Sequence, residues 1–92
     1  MVVNFYATLR EIVGSRQVEF PLLPGSTVRQ LIAEIVRQIP ALRAEMLDSQ
    51  GYLHGHIHIF VNGRDSSILD GGLDTILEPN DTISIFPPVG GG

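Results

Sequence analysis

The amino-acid sequence predicts a small α+β domain in which one main helix packs on one face of a mixed β-sheet. Three observations support this fold class. Apolar residues alternate with period two near both ends of the chain, as in strands with one buried face. A single helical stripe of apolar residues lies between these segments. The chain has 92 residues, enough for one modest hydrophobic core but too few for two domains.

The N-terminal segment has the pattern of two paired strands. Apolar side chains recur at every second position from Val3 to Leu9, which predicts a first strand there. Gly14-Ser15 marks a turn, and a second alternation over residues 17–22 predicts a strand that pairs back on the first. Because Pro21 lacks an amide donor, the second strand is expected at the edge of the sheet.

The main helical signal follows Pro24-Gly25. Thr27 is a favourable N-cap, and Gln30 three residues later completes a capping-box pattern. Pro40 ends this helix, and because proline is tolerated at a first helical position, residues 41–47 are expected to form a second, short helix. The apolar stripe predicted to enter the core consists of Val28, Leu31, Ile32, Ile35, Val36 and Ile39.

The C-terminal half predicts two or three further strands. Residues 57–61 alternate as a third strand, Asn62-Gly63 is a strong hairpin signal, and a short strand near residues 64–66 follows it. The last strand lies over residues 81–86. With the helix on one face of the sheet, the other face is open to solvent or a partner. The side chains predicted to face the helix are Ile57, Ile59, Val61, Ile83 and Ile85.

Composition excludes several classes of function. The chain has no cysteine, which excludes disulfides, a thiolate nucleophile and a side-chain persulfide. Its net charge of -4 argues against general nucleic-acid binding and favours a basic partner. The sequence contains neither a long apolar segment nor a secretory signal, so a cytoplasmic protein without membrane contact is expected. All six basic side chains are arginine, so the chain offers no lysine amine.

The chain ends in a segment of distinctive composition. Pro87 and Pro88 fix φ and lack amide donors, so they are expected to lead the backbone away from the sheet as a semi-rigid spacer. Gly90-Gly91-Gly92 has no Cβ atoms, so a partner enzyme can close around the backbone and reach the terminal carboxylate. We therefore expect a folded domain over residues 1–86 and a flexible C-terminal tail over residues 87–92. The alternative is an inert glycine linker.

This ending resembles that of the ubiquitin-like sulfur-carrier family, whose members end in Phe-Pro-Pro-Val-x-Gly-Gly. Gly90 takes the variable place and Gly91-Gly92 corresponds to the diglycine of the family. Other matching segments are Phe5 to Glu11 with Gly14, Pro24 to Val28, and Val61-Asn62-Gly63. The resemblance covers most of the chain and implies a β-grasp, ubiquitin-like fold.

The resemblance also implies a mechanism that needs no side-chain catalyst in this chain. An E1-like adenylating enzyme would use ATP to activate the Gly92 carboxylate, and a sulfur donor would displace AMP to leave a thiocarboxylate. The chain itself would bind no cofactor. The best-known member of the family is the small subunit of molybdopterin synthase, so we expect the large subunit of that enzyme, or another sulfur acceptor, as a partner.

Other branches of the family fit almost as well. The segment from Tyr52 to His58 and the segment Gly71-Gly72-Leu73 are similar to carriers that feed sulfur to cysteine synthesis and to small archaeal modifier proteins. The latter are joined through the terminal glycine to lysines of other proteins. A β-grasp interaction module with an inert tail is a third possibility.

The predicted partner surface lies on the open face of the sheet. If Ile57, Ile59 and Val61 face the helix, then His58 and Phe60 face outward, together with Tyr6 and Phe86. Clustered exposed aromatic residues are typical of docking surfaces. We expect this surface and the tail residues Pro87, Pro88, Val89 and Gly90 to bind partners, with Gly91 and Gly92 at the reacting end. In the alternative interpretation, the aromatic residues only cover one another.

Three histidines at alternating positions are candidates for a metal site. On one continuous strand, His54, His56 and His58 would share a face, with the outer two roughly 13 Å apart. That separation is too large for one zinc ion with ligands near 2 Å. We therefore expect surface histidines and no metal, with the possibility that mild acid affects docking.

Overall fold

The structure, a computed structural model, describes residues 1–87. Five strands and three helices follow one another as β1, α1, β2, α2, α3, β3, β4 and β5. The strands are β1 (Val2–Phe5), β2 (Gln17–Glu19), β3 (His58–Val61), β4 (Arg64–Asp65) and β5 (Ile83–Phe86). The helices are α1 (Ala7–Val13), α2 (Val28–Gln38) and α3 (Arg43–Met46), with short 3₁₀ turns at Pro40–Leu42, Ser66–Ile68 and Gly72–Asp74.

The five strands form one mixed sheet in the order β2-β1-β5-β3-β4. The β1 and β5 strands are parallel, and the other neighbouring strands are antiparallel. The last strand in sequence is therefore the central strand in space. Since β5 pairs on both sides, the point where the chain leaves the sheet is held by its neighbours.

Helix α2 supplies the largest share of the core opposite the sheet. Its N-cap, Thr27, accepts a hydrogen bond from the Gln30 amide, and the Gln30 side chain accepts one from the Thr27 amide, as predicted. The helix ends before Pro40. Its buried residues are Val28, Leu31, Ile32, Ile35 and Val36, which share one core with Val3, Phe5, Ile59, Ile83 and Ile85.

The prediction of a first strand extending to Leu9 was wrong. Strand β1 ends at Phe5, and Ala7 takes a φ of 51°, which turns the chain into helix α1. Leu9 is fully buried, and Ile12 and Val13 pack against the core beside it. This is the i, i+3, i+4 spacing of a helical face. Helix α1 ends at Gly14, whose left-handed φ of 80° is the usual C-cap geometry.

The remaining elements match the sequence prediction closely. Strand β2 lies at a sheet edge, although it ends before Pro21. Residues 40–46 form the expected short helical segment. The β3–β4 hairpin turns at Asn62 and Gly63, which both have positive φ, at 52° and 82°. No helix in residues 1–87 has the length and apolar character needed to cross a membrane.

Candidate functional site: an aromatic patch at the end of the central strand

Four side chains predicted for the partner surface lie together where β5 ends. We call Tyr6, His58, Phe60 and Phe86 the aromatic patch. His58 is the direct cross-strand partner of Phe86. Phe5 pairs with Ile85 in the parallel register of β1 and β5, so Tyr6, the next residue, reaches the Phe86 side of the sheet. Sheet register alone therefore gathers residues from three separate segments.

The rings of the aromatic patch contact one another in favourable geometries. Tyr6 and Phe86 are stacked, with centroids 4.2 Å apart and an interplanar angle of 11°. Phe60 meets Phe86 edge to face at 5.3 Å, and His58 is tilted against Phe60 at 6.5 Å. Pairs at these separations add stability beyond their buried area. Phe86 is the centre of the patch because it touches rings on both sides.

The patch is partly covered by its own members. The side chains of Tyr6, Phe60 and Phe86 are half-buried, and His58 is 48% exposed. Mutual covering, which we considered as an alternative, therefore accounts for part of their burial. What remains is a preformed apolar surface with fixed ring orientations. Such a surface loses little side-chain entropy when a partner binds.

Arg10 extends the aromatic patch in a way that the sequence did not indicate. Arg10 lies in helix α1, which replaces the predicted continuation of the first strand. Its Nε donates a hydrogen bond to the Phe5 carbonyl at 3.1 Å, and its guanidinium carbon lies 5.5 Å from the centre of the Tyr6 ring. The guanidinium group is thus held over the ring face, a cation–π arrangement.

His58 is oriented by a carboxylate on the neighbouring strand. Its Nδ1 lies 3.1 Å from Oδ2 of Asp65. The backbone amide of Ser67, followed by the hydroxyl of Ser67 and by His58, holds the pKa of Asp65 below its ordinary value despite partial burial. Asp65 is therefore an ionised acceptor near neutral pH, so Nδ1 of His58 carries the shared proton and Nε2 points away from the pair.

The three histidines do not lie on one strand face, because the continuous strand that this would require does not form. Strand β3 begins only at His58, because the chain turns at Gly55-His56. The His54 and His56 rings stack at 4.9 Å instead. Within residues 1–87, no three histidine or acidic side chains are grouped closely enough to hold a metal ion.

The described residues end at the start of the predicted tail. Pro87 is half-buried and follows β5 outside the sheet. The predicted site residues Pro88, Val89, Gly90, Gly91 and Gly92 lie outside the described range. The structure therefore shows how the chain leaves the domain at the aromatic patch.

The chain belongs to the ThiS family, whose model matches residues 3–92. This confirms the family resemblance, and the match extends through the glycine-rich ending. The chain is 31% identical over 90 residues to small archaeal modifier protein 3 of Haloferax volcanii, covering 98% of this chain and 96% of that protein. It is also 31% identical over 70 residues to the sulfur carrier protein CysO of Mycobacterium tuberculosis, covering 74% of each.

Solved structures confirm the ubiquitin-like β-grasp fold. The crystal structure of SAMP1 from Haloferax volcanii matches with a TM-score of 0.89 and 30% identity, covering 100% of this chain and 98% of that one. The Amycolatopsis orientalis BexX/CysO complex contains a chain that matches with a TM-score of 0.78 at 29% identity, with 99% and 98% covered. A putative molybdopterin converting factor subunit 1 from Pyrococcus furiosus matches with a TM-score of 0.73 at 29% identity, and the match covers 96% of this chain and 95% of that one.

These relatives bear on the expected role as well as the fold. They are named as small carriers, modifiers or subunits, and one of them is found in a complex with another protein. The prediction that this chain is not a catalyst on its own, but acts with partner enzymes, is confirmed at the level of the family.

Proposed function

We propose that this chain is a sulfur carrier that works through a thiocarboxylate at Gly92 and docks through its aromatic patch. The observation that carries the proposal is the position of β5. This central strand, held on both sides, leads from the core directly to the aromatic patch. A partner that covers the patch is thereby placed beside the root of the tail.

The proposed chemistry takes place entirely at the carboxyl end. The Gly92 carboxylate attacks the α-phosphate of ATP in the active site of an E1-like enzyme, pyrophosphate leaves, and an acyl adenylate forms. A sulfur nucleophile then attacks the carbonyl carbon and AMP leaves with the bonding electron pair. The sequence has no cysteine, so no side chain of this protein competes for the sulfur as a thiol.

The aromatic patch is proposed to be the surface to which the partner binds. Phe60 and Phe86 present an edge-to-face pair next to the tail root, and aromatic anchors of this kind often dominate binding energy. Arg10 adds a cation at the border of the patch, where it can meet a carboxylate of the partner. Pro87 and the residues after it would then enter the active site of the partner.

The final acceptor is proposed from the family comparison. We place the large subunit of molybdopterin synthase first, supported by the similarity to the Pyrococcus furiosus subunit. Cysteine synthesis is the alternative sulfur pathway, supported by the CysO relatives. In either pathway the carrier chemistry is the same, because the acceptor determines the product.

A protein modifier is the second candidate function. It is favoured by the nearly full-length match to small archaeal modifier protein 3. In that role, the activated Gly92 carbonyl would form an isopeptide bond with a lysine of another protein. Because this chain has no lysine, every lysine joined to its C-terminus belongs to another protein, so the assay has no background from lysine self-attachment.

Reconstitution tests the carrier proposal. The purified chain is incubated with the E1-like enzyme of its host, ATP and a sulfide source, and the intact mass is measured. We expect conversion of the full chain to the thiocarboxylate and no conversion of a chain that lacks Gly91 and Gly92. Phe60→Ala should weaken binding to the enzyme by about thirtyfold, as for a hot-spot residue. Unchanged binding of a folded Phe60→Ala variant would refute the docking role of the patch.

Remnant mapping in the host tests the second candidate. Foreign lysines that carry the tryptic C-terminal peptide of this chain, residues 65–92, and that lose it when Gly91 and Gly92 are both deleted would establish modification. If the thiocarboxylate also forms, the chain has both functions. Absence of both products in the full-length chain would leave the tail inert and contradict the proposed function.

A further inference from the structure

A second surface lies between helix α2 and the β4 edge of the sheet, and it meets the aromatic patch at His58 alone. It is an open groove of about 1040 Å³ between α2, the segment 47–57 and the turn region 65–73. The groove borders the β4 edge of the sheet, and His58 is the one aromatic-patch residue among its lining residues. The proposed carrier chemistry uses none of its other residues.

The floor of the groove is apolar. Ile32, Ala33 and Val36 line it from α2, and Leu53 and Ile57 line it from the segment 47–57. Ile32, Val36 and Ile57 belong to the main core and are almost completely buried. These residues fix the scaffold of the floor, and the apolar surface left for a ligand comes mainly from the exposed Ala33 and the half-buried Leu53 and Leu73.

An exposed aromatic side chain stands on the wall of the groove. Tyr52 is 63% exposed, although its amide is fixed by a hydrogen bond to the Asp48 carboxylate at 3.0 Å. Tyrosine with a fixed backbone and a free ring is a common anchor in peptide recognition because it offers apolar contact and a hydroxyl group.

The rim of the groove carries positive charge on an acidic protein. Three of the six arginines of the chain line the groove: Arg29, Arg37 and Arg43. Of the ten acidic residues of the chain, Asp65 alone is among the described lining residues. Arg29 and Arg37 pair with carboxylates outside the lining. The side chains of Arg29 and Asp74 are both more than half exposed, so this ion pair is weak and exchangeable. Arg37 donates two hydrogen bonds to the mostly buried Glu34 carboxylate and stays paired with it. Within residues 1–87, Arg43 has no carboxylate at ion-pair distance.

We infer that this groove binds a peptide segment of a partner protein in which apolar side chains are flanked by carboxylates. The floor receives the apolar side chains, and Arg43 and Arg29 on the rim pair with the flanking acidic groups. Arg43 is the principal cation because its binding does not require breaking an internal ion pair. This inference does not rest on the proposed function, because it is argued from residues of α2, Arg43 and the segment 47–57, none of which belongs to the aromatic patch.

Fluorescence anisotropy with a defined probe tests the inference. The probe is a short fluorescein-labelled peptide that alternates leucine with aspartate, and the reference peptide has lysine in place of each aspartate. We expect saturable binding of the acidic peptide alone, with amide NMR shifts concentrated in α2 and the segment 47–57. Arg43→Glu should weaken binding about fivefold. Arg16→Glu, the matched reversal beside the opposite edge strand, should change it less than about twofold.

Two further variants separate the floor of the groove from the aromatic patch. Ala33→Phe fills the floor and should weaken binding about tenfold or more. Tyr52→Ala gives a second test that cannot disturb the core, because this ring is exposed. Phe60→Ala should leave peptide binding intact. Equal binding of the lysine peptide, loss of binding with Phe60→Ala, or indifference to both Ala33→Phe and Tyr52→Ala would overturn the inference. Failure of the acidic peptide to saturate, or self-association that occupies the groove, would also overturn it.

Discussion

Truncation of Phe86 is the perturbation that tests the aromatic patch most clearly. Phe86→Ala removes one stacked contact with Tyr6 at 4.2 Å and one edge-to-face contact with Phe60 at 5.3 Å. Each aromatic pair contributes about 0.5–1.5 kcal/mol beyond its buried area. Two such pairs predict a loss of about 2 kcal/mol in the free energy of unfolding. Because Phe86 is only half-buried, the loss should stay below the roughly 3–5 kcal/mol of a full core truncation.

Urea denaturation followed by circular dichroism measures this loss, with linear extrapolation to water. For a domain of this size, a loss of about 2 kcal/mol corresponds to a fall of roughly 8–16 °C in Tm. Phe86→Leu is the matched control, because it keeps apolar volume at the position but removes the ring. We expect it to lose about half as much stability. A Phe86→Ala loss below about 0.5 kcal/mol would refute the stacked geometry, since neither aromatic pair could then be formed in solution.

Three further predictions concern the scaffold and its charges. Thr27→Ala removes the capping-box acceptor at the start of α2 and should lower the free energy of unfolding by about 1 kcal/mol in urea titrations; no change would contradict the cap. Gly63→Ala places a side chain at a φ of 82° in open space and should cost roughly 1–2 kcal/mol from backbone strain alone. Gly55→Ala, also open but without a positive φ, is its control and should be nearly neutral. Asp65 has a depressed pKa in the folded state, mainly through the Ser67 amide, so its contribution to stability is present above the unfolded pKa of about 4 and disappears as pH falls through the folded pKa. Stability curves of Asp65→Asn should therefore fall less steeply below about pH 4 than those of the parent, and parallel curves would contradict the hydrogen bond from the Ser67 amide to the Asp65 carboxylate.

The parts of the fold that were predicted correctly carry their own local signals. Helix α2 combines a capping box, an apolar stripe and a terminating proline, all within one segment. The β3–β4 hairpin depends on Asn62-Gly63, which tolerates the positive φ values that the turn needs. In these segments, local preference and tertiary packing favour the same structure.

Helix α1 was missed because two periodicities coincide. Val3 and Phe5 establish the alternating apolar pattern of a strand. Leu9 falls on the same alternation by coincidence, although the residues after Tyr6 are helical. The chain changes from strand to helix at Ala7, which has a positive φ. Alanine gives no sequence signal for a positive φ, because non-glycine residues seldom adopt it. The spacing of Leu9, Ile12 and Val13 before Gly14 was the available evidence for a helix.

The residues that form the candidate site were predicted from the sequence, but the contacts between them were not. The outward parity of Phe60 and Phe86 could be derived from strand alternation alone. The stacking of Tyr6 on Phe86, the pairing of His58 with Asp65 and the apolar groove depend on sheet register and helix placement. Several of these contacts are between residues that are far apart in sequence, so a local sequence pattern cannot predict them.

The central claim is that the working group of this protein is the carboxylate at Gly92. The most direct test is the intact mass of the protein purified from its native host under conditions that preserve thioacids, followed by fragmentation of the C-terminal peptide. We predict a species in which one terminal oxygen is replaced by sulfur, localised to the Gly90-Gly91-Gly92 peptide. If the carboxylate is unmodified in cells that contain the active E1-like enzyme, the carrier account is contradicted.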